Sequence, residues 1–287
     1  MIAFVLNLSA MAQNDTIGVS KITAVYRYEC KTMDADGKVV TDSMLIAVQT
    51  SDGITKSFPY DEYERQKAGG SRIADGYQAA QMHMGTVFMN YPEGRITTHE
   101  MLYPYRYQTD EALEKRDWKL TEAKDSICGF ASLSATINYH GVTWNAYYTE
   151  DVPVGIGPWK LGGLPGLITR ASDAKGVHTF TLCGLIKAEL PIVFTEYVTW
   201  FVPDGQGKFI SQRVDYQKRT ASDFLSYKKK VLGNRRYVKA PTYYAPDPMT
   251  TFGYVETSSN SLGDRVRSVA GVVLISSPHQ YQPLELK

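Results

Sequence analysis

Alternating apolar and polar residues predict β-strands along most of this chain. Residues 22–30 and 43–50 are rich in β-branched and aromatic residues, and a turn signal at 34–37 lies between them, which predicts a hairpin. The same pattern predicts further strands within residues 85–102, 127–139, 142–149, 167–172, 177–182 and 271–276. The predicted fold class is mainly β (α+β), with a large curved antiparallel sheet.

Two segments have helical patterns instead. Residues 59–68 place a proline near the first helical position and acidic residues in the first turn, before Gly69 and Gly70 end the pattern. Residues 220–237 repeat apolar residues near helical spacing, with Ser222 and Asp223 as candidate N-terminal caps. We therefore expect one or two helices packed on the sheet.

The beginning of the chain predicts export. Residues 2–8 form an apolar run too short to span a bilayer, and Ala10-Met11-Ala12 follows with the small-x-small pattern that signal peptidases cut. We predict a signal peptide at 1–12, a single β-rich domain at 13–287, and a location in the periplasm or at the outer membrane. No later apolar run is long enough for a transmembrane helix, so no transmembrane segment is predicted.

The amino-acid composition excludes one class of partner and one class of enzyme. The formal net charge is +1, from 31 basic and 30 acidic residues, so nucleic acid is not an expected partner. The three cysteines, Cys30, Cys128 and Cys183, form no C-x-x-C spacing, which argues against a thiol–disulfide exchange enzyme. One disulfide with one free thiol fits this count, and so do three buried thiols; structural or unpaired cysteines are the favoured interpretation.

Known catalytic signatures are absent from the sequence. It has no G-x-S-x-G elbow, no H-E-x-x-H helix, no P-loop and no dinucleotide fingerprint, so we predict no catalytic residue and no cofactor. Met82, His83 and Met84, with Met89 and Met101 nearby, are ligand types for Cu(I). They would not share one face of a strand or helix, so we interpret them as core methionines beside a surface histidine and predict no metal site.

A loop at residues 155–168 combines five glycines and two prolines with many apolar residues. Such a loop either folds into its own core, the more frequent outcome, or presents an apolar face to a partner. Pro165 and Gly166 fit the centre of a type II turn, which predicts a positive φ at Gly166. We predict a binding role for this loop, with the candidate residues Gly157, Pro158, Trp159, Gly163, Leu164, Pro165, Gly166, Leu167 and Ile168.

Residues 163–168 spell Gly-Leu-Pro-Gly-Leu-Ile, the hexapeptide that names the GLPGLI family of exported proteins from Gram-negative bacteria. Residues 91–94, 118–120, 127–130, 141–149 and 157–158 and the predicted hairpin at the beginning of the chain also resemble this family, so the resemblance extends over roughly 22–190. The chain departs from the family pattern at three positions. Ser132 stands where members commonly have cysteine, Val142 where they have arginine, and Tyr147 where they have tryptophan.

The resemblance implies a setting rather than a reaction, because the family has no established activity. Its members tend to accompany outer-membrane transport systems, so the implied partner is an outer-membrane TonB-dependent transporter. Their strand pattern is also similar to the open half-barrel of periplasmic lipoprotein carriers.

Two functions are open at this point. The first is an exported envelope protein that binds a partner protein, peptide or lipid, as an accessory component of an outer-membrane or periplasmic transport system. The second is an accessory periplasmic hydrolase of peptidase-like type. A deep apolar groove would favour binding, whereas a Ser/His/Asp or metal cluster in a cleft would favour hydrolysis.

Overall fold

A computed structural model shows a chain built mainly of β-strands. It describes residues 15–33, 37–69, 84–102, 105–195, 197–203, 209–233, 238–239, 257–259, 265–269, 272–276 and 284–285. The predicted signal peptide at 1–12 lies outside these residues, as do Met82 and His83.

Twelve strands form one open sheet, and their order across it places sequence-distant strands side by side. One half contains β1 (Asp15–Met33), β2 (Val39–Ser51), β3 (Ile54–Pro59), β4 (Thr86–Met89), β5 (Arg95–Leu102), β6 (Tyr105–Ala112) and β14 (Gln217–Thr220). The other half contains β7 (Lys119–Ile127), β8 (Phe130–Tyr139), β9 (Val142–Thr149), β10 (Leu167–Asp173) and β11 (His178–Phe194). The order is β14-β6-β5-β4-β3-β2-β1-β11-β10-β9-β8-β7. Only β14 runs parallel to its neighbour, β6, so the predicted large antiparallel sheet is confirmed.

The remaining elements are short or lie outside this sheet. They are α1 (Tyr60–Lys67), α2 (Ala221–Gly233), the strand pair β12 (Tyr197–Pro203) and β13 (Phe209–Asp215), and a four-stranded sheet of β15 (Val238–Lys239), β16 (Thr257–Ser259), β17 (Arg265–Val269) and β18 (Val272–Ser276). Within the described part of the chain, no helix has the length and apolar content needed to cross a membrane.

The predicted hairpin at the beginning of the chain is confirmed, and it lies at the centre of the sheet. Residues 22–30 fall within β1 and residues 43–50 within β2, and the two strands pair antiparallel. Tyr26 and Tyr28 alternate with residues on the opposite face and are at most 1% exposed. They belong to the main core, whose largest fully buried side chain is that of Trp144.

Helix α1 begins as the sequence predicts. Pro59 precedes its first residue, and Asp61 and Glu62 lie in the first turn, where acidic side chains interact favourably with the helix dipole. Tyr63 is fully buried and packs against Ala47 and against Phe58. This helix therefore covers the sheet face opposite the main core.

Helix α2 confirms the second helical prediction over Ala221–Gly233, whereas residues 234–237 lie outside the described part of the chain. Its cap is Thr220 rather than the predicted Ser222 or Asp223, because the Asp223 amide donates to Thr220 Oγ1 at 3.1 Å. Phe224 anchors the helix on the sheet, with its ring 5.0 Å from that of Tyr107.

One predicted strand is divided by a hairpin in the structure. Residues 127–139 were expected to be continuous, but Cys128 and Gly129 adopt φ values of 51° and 81° and turn the chain between β7 and β8. Strand β7 was missed because eight of its nine residues are exposed, so no apolar alternation marks it. It forms one edge of the sheet.

The cysteines and methionines have simple structural roles. All three cysteines are free thiols, with Cys30 buried and Cys128 and Cys183 exposed, so the favoured interpretation of unpaired cysteines is confirmed, whereas one disulfide and three buried thiols are both wrong. Burial raises the pKa of Cys30 to about 11, which keeps it protonated and unreactive. The three described methionines of the soft-ligand cluster are core residues, as predicted: Met84, Met89 and Met101.

Buried polar atoms without hydrogen-bond partners collect beneath α1. Thr23 and Gln49 face each other across β1 and β2 and are 0% exposed. Within the described part of the chain, Thr23 Oγ1, both amide atoms of Gln49 and the Tyr63 hydroxyl have no hydrogen-bond partner. Each such atom costs roughly 1–3 kcal/mol of desolvation.

We expect Gln49→Met to raise the free energy of unfolding by about 1–2 kcal/mol, because it removes two unpartnered atoms and keeps the side-chain length. Urea unfolding measures the change. Gln108→Met is the matched control, since its amide bonds Asp110 and His99, and this variant should lose stability. If Gln49→Met lowered the free energy of unfolding as much as Gln108→Met does, the prediction would be contradicted.

Candidate functional site

The glycine- and proline-rich loop at residues 155–168 is fixed by its own backbone. The Gly163 amide donates to the Gly155 carbonyl at 2.9 Å, and the Ile168 amide donates to the Ile156 carbonyl at 3.0 Å. These bonds join the two ends of the loop, so it has one conformation rather than the freedom that its glycines would allow.

Two side chains from the segment that precedes β7 hold the loop to the sheet. Trp118 Nε1 donates to the Gly162 carbonyl at 2.8 Å, and Arg116 Nη2 donates to the Lys160 carbonyl at 3.1 Å. The guanidinium of Arg116 also lies 4.3 Å from the ring centre of Tyr139, at the end of β8. The loop is thus a rigid support for the side chains it carries.

The apolar side chains of the loop fold back into the core, the more frequent of the two outcomes considered. Of the nine predicted binding residues, only Gly163 and Pro165 are exposed. The other seven are buried, namely Gly157, Pro158, Trp159, Leu164, Gly166, Leu167 and Ile168.

The predicted type II turn with positive φ at Gly166 is wrong. Positive φ occurs instead at Gly163, at 84°, and at Trp159, at 53°. Gly166 is required for a different reason, because a Cβ atom there would lie 1.9 Å from the carbonyl oxygen of Thr149. The glycine allows the loop backbone to approach the end of β9.

Lys160 follows Trp159 and carries its ammonium group into a cluster of buried charges. Lys160 is 3% exposed, and its Nζ lies 2.8 Å from Glu111 Oε1 and also pairs with Glu285. His140 Nε2 is 3.6 Å from Glu111 Oε2. Burial alone would lower the pKa of Lys160, but the charges of Glu285 and Glu111 raise it above its usual range.

A second buried ion pair lies beside the first. Lys228, on α2, places Nζ 2.6 Å from Glu100 Oε1 on β5. Burial raises the pKa of Glu100 above its usual value, against the opposing charge of Lys228. Glu100 and Glu111 share one sheet face, because Glu111 lies opposite Ile96, four residues from Glu100 on β5.

Of these groups, Glu100, Lys160, Lys228 and Glu285 line a narrow cleft that is partly open to solvent. Its walls are the sheet, the glycine- and proline-rich loop, α2 and the segment Leu284–Glu285. Apolar surface is supplied by Trp159, Phe224 and Leu225. We call this space the charged cleft.

Three groups near the charged cleft have the chemistry of metal ligands. One ligand atom from each of Glu111, His140 and Glu285 lies within 4.8 Å of the others. Two carboxylates and an imidazole are a ligand set suited to zinc. A metal ion there would compete with the ammonium group of Lys160, which already contacts both carboxylates.

Another histidine, His99, lies away from the charged cleft and is structural. Its ring stacks on that of Tyr216 at 4.0 Å between centres and meets the Phe88 ring edge-on. Burial lowers the pKa of His99 to about 4, so it is neutral at physiological pH.

Sequence reasoning missed most of the charged cleft. Glu100, Glu111, Lys228 and Glu285 come from four separate parts of the chain and belong to no local motif. The one available signal was Lys160, a charged residue inside an otherwise apolar loop. A lysine in such a setting is buried only when it is paired.

Comparison with known proteins identifies no family. No protein-family model matches the chain, and no curated protein matches it significantly. It is similar to solved structures of PNGF-II in space groups P21 and C2, each at 17% sequence identity, with TM-scores of 0.44 and 0.41. These matches cover 87% and 86% of this chain but only 40% of each PNGF-II chain, and so weak a likeness carries no argument about function.

Proposed function

We propose that this chain is an exported envelope protein that binds its ligand in the charged cleft, as an accessory component of an outer-membrane or periplasmic transport system. The observation that supports binding is the pairing of two buried lysines with three glutamates beside apolar walls, at the junction of the rigid loop, the sheet and α2. Ligand sites combine apolar walls with a few fixed polar groups in this way.

The pairing of the charges favours recognition over catalysis. Each of the three carboxylates has a lysine within ion-pair distance: Glu100 has Lys228, while Glu111 and Glu285 share Lys160. Paired charges on rigid elements can orient the polar groups of a ligand without reorganisation. A general base, in contrast, has to be available to take a proton.

The export and transport parts of the proposal depend on the sequence. The apolar run at residues 2–8 and the cleavage pattern at 10–12 support export. The hexapeptide at 163–168 supports a place in the GLPGLI family and, through it, an outer-membrane TonB-dependent transporter as the partner. In this proposal the hexapeptide does not itself contact the ligand. The loop at residues 155–168 holds Trp159 and Lys160 in position, and these two residues line the charged cleft.

Site-directed photo-crosslinking in the native envelope tests the proposal. Benzoylphenylalanine replaces Leu225, which lines the charged cleft, or Leu120, which is 65% exposed on β7 and serves as the control. We expect a protein or peptide adduct from position 225, none from position 120, and recovery of the chain in the envelope fraction. Adducts from position 120 alone, or a cytoplasmic chain, would contradict the proposal.

A peptidase-like hydrolase is the second candidate, and one observation favours it. Glu111, His140 and Glu285 are close enough to bind one zinc ion. A hydrolase of this type requires that the purified chain bind zinc at micromolar concentration and that His140→Ala abolish this binding. Calorimetric titration with zinc decides between the two candidates.

A further inference from the structure

The protein places a segment of its own chain in the charged cleft. Leu284 is 7% exposed and belongs to the main core cluster, while the carboxylate of Glu285 pairs with Lys160. Both residues form part of the cleft wall. One aliphatic and one acidic side chain, adjacent in sequence, therefore meet the apolar and the charged parts of the cleft.

Lys160 provides the contact for the carboxylate. Its ammonium group pairs with Glu285 as well as with Glu111, while Lys228 pairs with Glu100. The Glu285 carboxylate therefore lies opposite that of Glu111 across a shared ammonium group, in a cleft from which most solvent is excluded.

The apolar part of the cleft accepts the neighbouring side chain. Trp159 and Phe224, which are 4% and 5% exposed, line the same space as Leu284. Burying an aliphatic side chain in this space removes apolar surface from water, which favours binding of any chain that presents such a residue. The two requirements, an aliphatic group and a carboxylate, are met by two consecutive residues.

From this arrangement, and resting on the function proposed above, we infer the class of ligand. The charged cleft binds a peptide segment of a partner protein in which an aliphatic residue directly precedes an acidic one. In the free protein, Leu284–Glu285 occupies the place of this segment. An intramolecular competitor of this kind acts at a high effective concentration, so only a segment with further contacts, or one held nearby by its own protein, displaces it.

The test uses the full chain and two fluorescein-labelled peptides. The first peptide is Tyr-Gln-Pro-Leu-Glu-Leu-Lys, which reproduces residues 281–287. The second has glutamine in place of glutamate and is otherwise identical. Fluorescence anisotropy compares the wild-type chain, the isosteric variant Glu285→Gln, and the double variant Leu284→Ser with Glu285→Gln.

We expect the double variant to bind the glutamate peptide at least about tenfold more tightly than the wild-type chain does, because the competitor is weakened. Glu285→Gln should give an intermediate affinity. The glutamine peptide should bind the double variant at least about tenfold more weakly than the glutamate peptide, since it cannot pair with the ammonium group of Lys160.

Equal binding of the two peptides, or binding of neither, would overturn the inferred ligand class. If adducts from position 225 persist in that case, the cleft binds another ligand and the proposed function stands; if they are absent as well, both proposals fail. Should the double variant not unfold cooperatively, Glu285→Gln alone decides the question through the same comparison of peptides.

Discussion

Replacing Gly166 by alanine should lower the free energy of unfolding by about 3–5 kcal/mol, or prevent folding altogether. The added Cβ would lie 1.9 Å from the carbonyl oxygen of Thr149 and 2.7 Å from its carbonyl carbon. Both atoms belong to the backbone at the end of β9, and they cannot move aside as the tip of a flexible side chain can. The loop would have to separate from the strand, and Leu167 and Ile168, both fully buried, would lose their packing.

Two other glycines provide controls for this prediction. Gly184→Ala should be neutral or slightly stabilising, since nothing lies within 4 Å of the added atom. Gly163→Ala should cost about 1–2 kcal/mol through its φ of 84°, without a steric clash. Urea unfolding of the three variants ranks their losses of stability. A loss at position 166 no larger than that at position 163 would mean that the close approach to Thr149 is not tight.

Lys160→Met should lower the free energy of unfolding by about 3–5 kcal/mol at neutral pH, because it leaves the carboxylates of Glu111 and Glu285 close together without their common cation. Methionine keeps the length and the apolar stem of lysine, so little packing is lost. The matched control is Lys56→Met. Lys56 is equally buried, but its one carboxylate partner among the described residues, Glu62, is 21% exposed and can be solvated, so the loss should be smaller.

The pH dependence of this loss has a defined sign. In the wild-type chain the pKa of Glu285 is lowered, so its contribution to stability is present above the unfolded value and is lost as the pH falls through the lower folded value. Without Lys160 the cause of the lowering is removed, and burial raises the pKa of Glu285 instead. The deficit of Lys160→Met should therefore shrink as the pH falls from 7 toward the ordinary glutamate range of about 4.3. A deficit that is constant with pH would show that lost packing, rather than unpaired charge, causes it.

The sequence predicted a helix or strand correctly where the residues of that element are enough to determine it. Proline at position 59 and acids at 61 and 62 are enough to place α1, because the first turn of a helix selects those residues whatever lies around it. Strand β7 was missed for the opposite reason. Its position depends on pairing with β8, while its own exposed residues show no alternation.

The candidate site could be predicted only in part. The loop at 155–168 was recognised from its glycines, but the reason for Gly166 was wrong, because proximity to Thr149 depends on tertiary structure. The partners of Lys160 could not be found from the sequence, since Glu111 and Glu285 lie far from it in the chain and follow no spacing rule. The sequence therefore identifies residues, such as the loop glycines, that a local backbone conformation requires. Ion pairs between residues far apart in the chain can be identified only once the fold is known.

The pairing of β1 with β11 sets the order in which the chain can assemble. Cys30 pairs with His178 and Asp15 with Phe194, so more than half of the chain separates the two strands. Closing a loop of that length has an entropic cost before any contact forms, which makes such topologies slow to fold. During synthesis, β2 can cover one side of β1 early, but the other side waits for residue 194. An open strand edge of that length can pair with a wrong strand until β11 is in place.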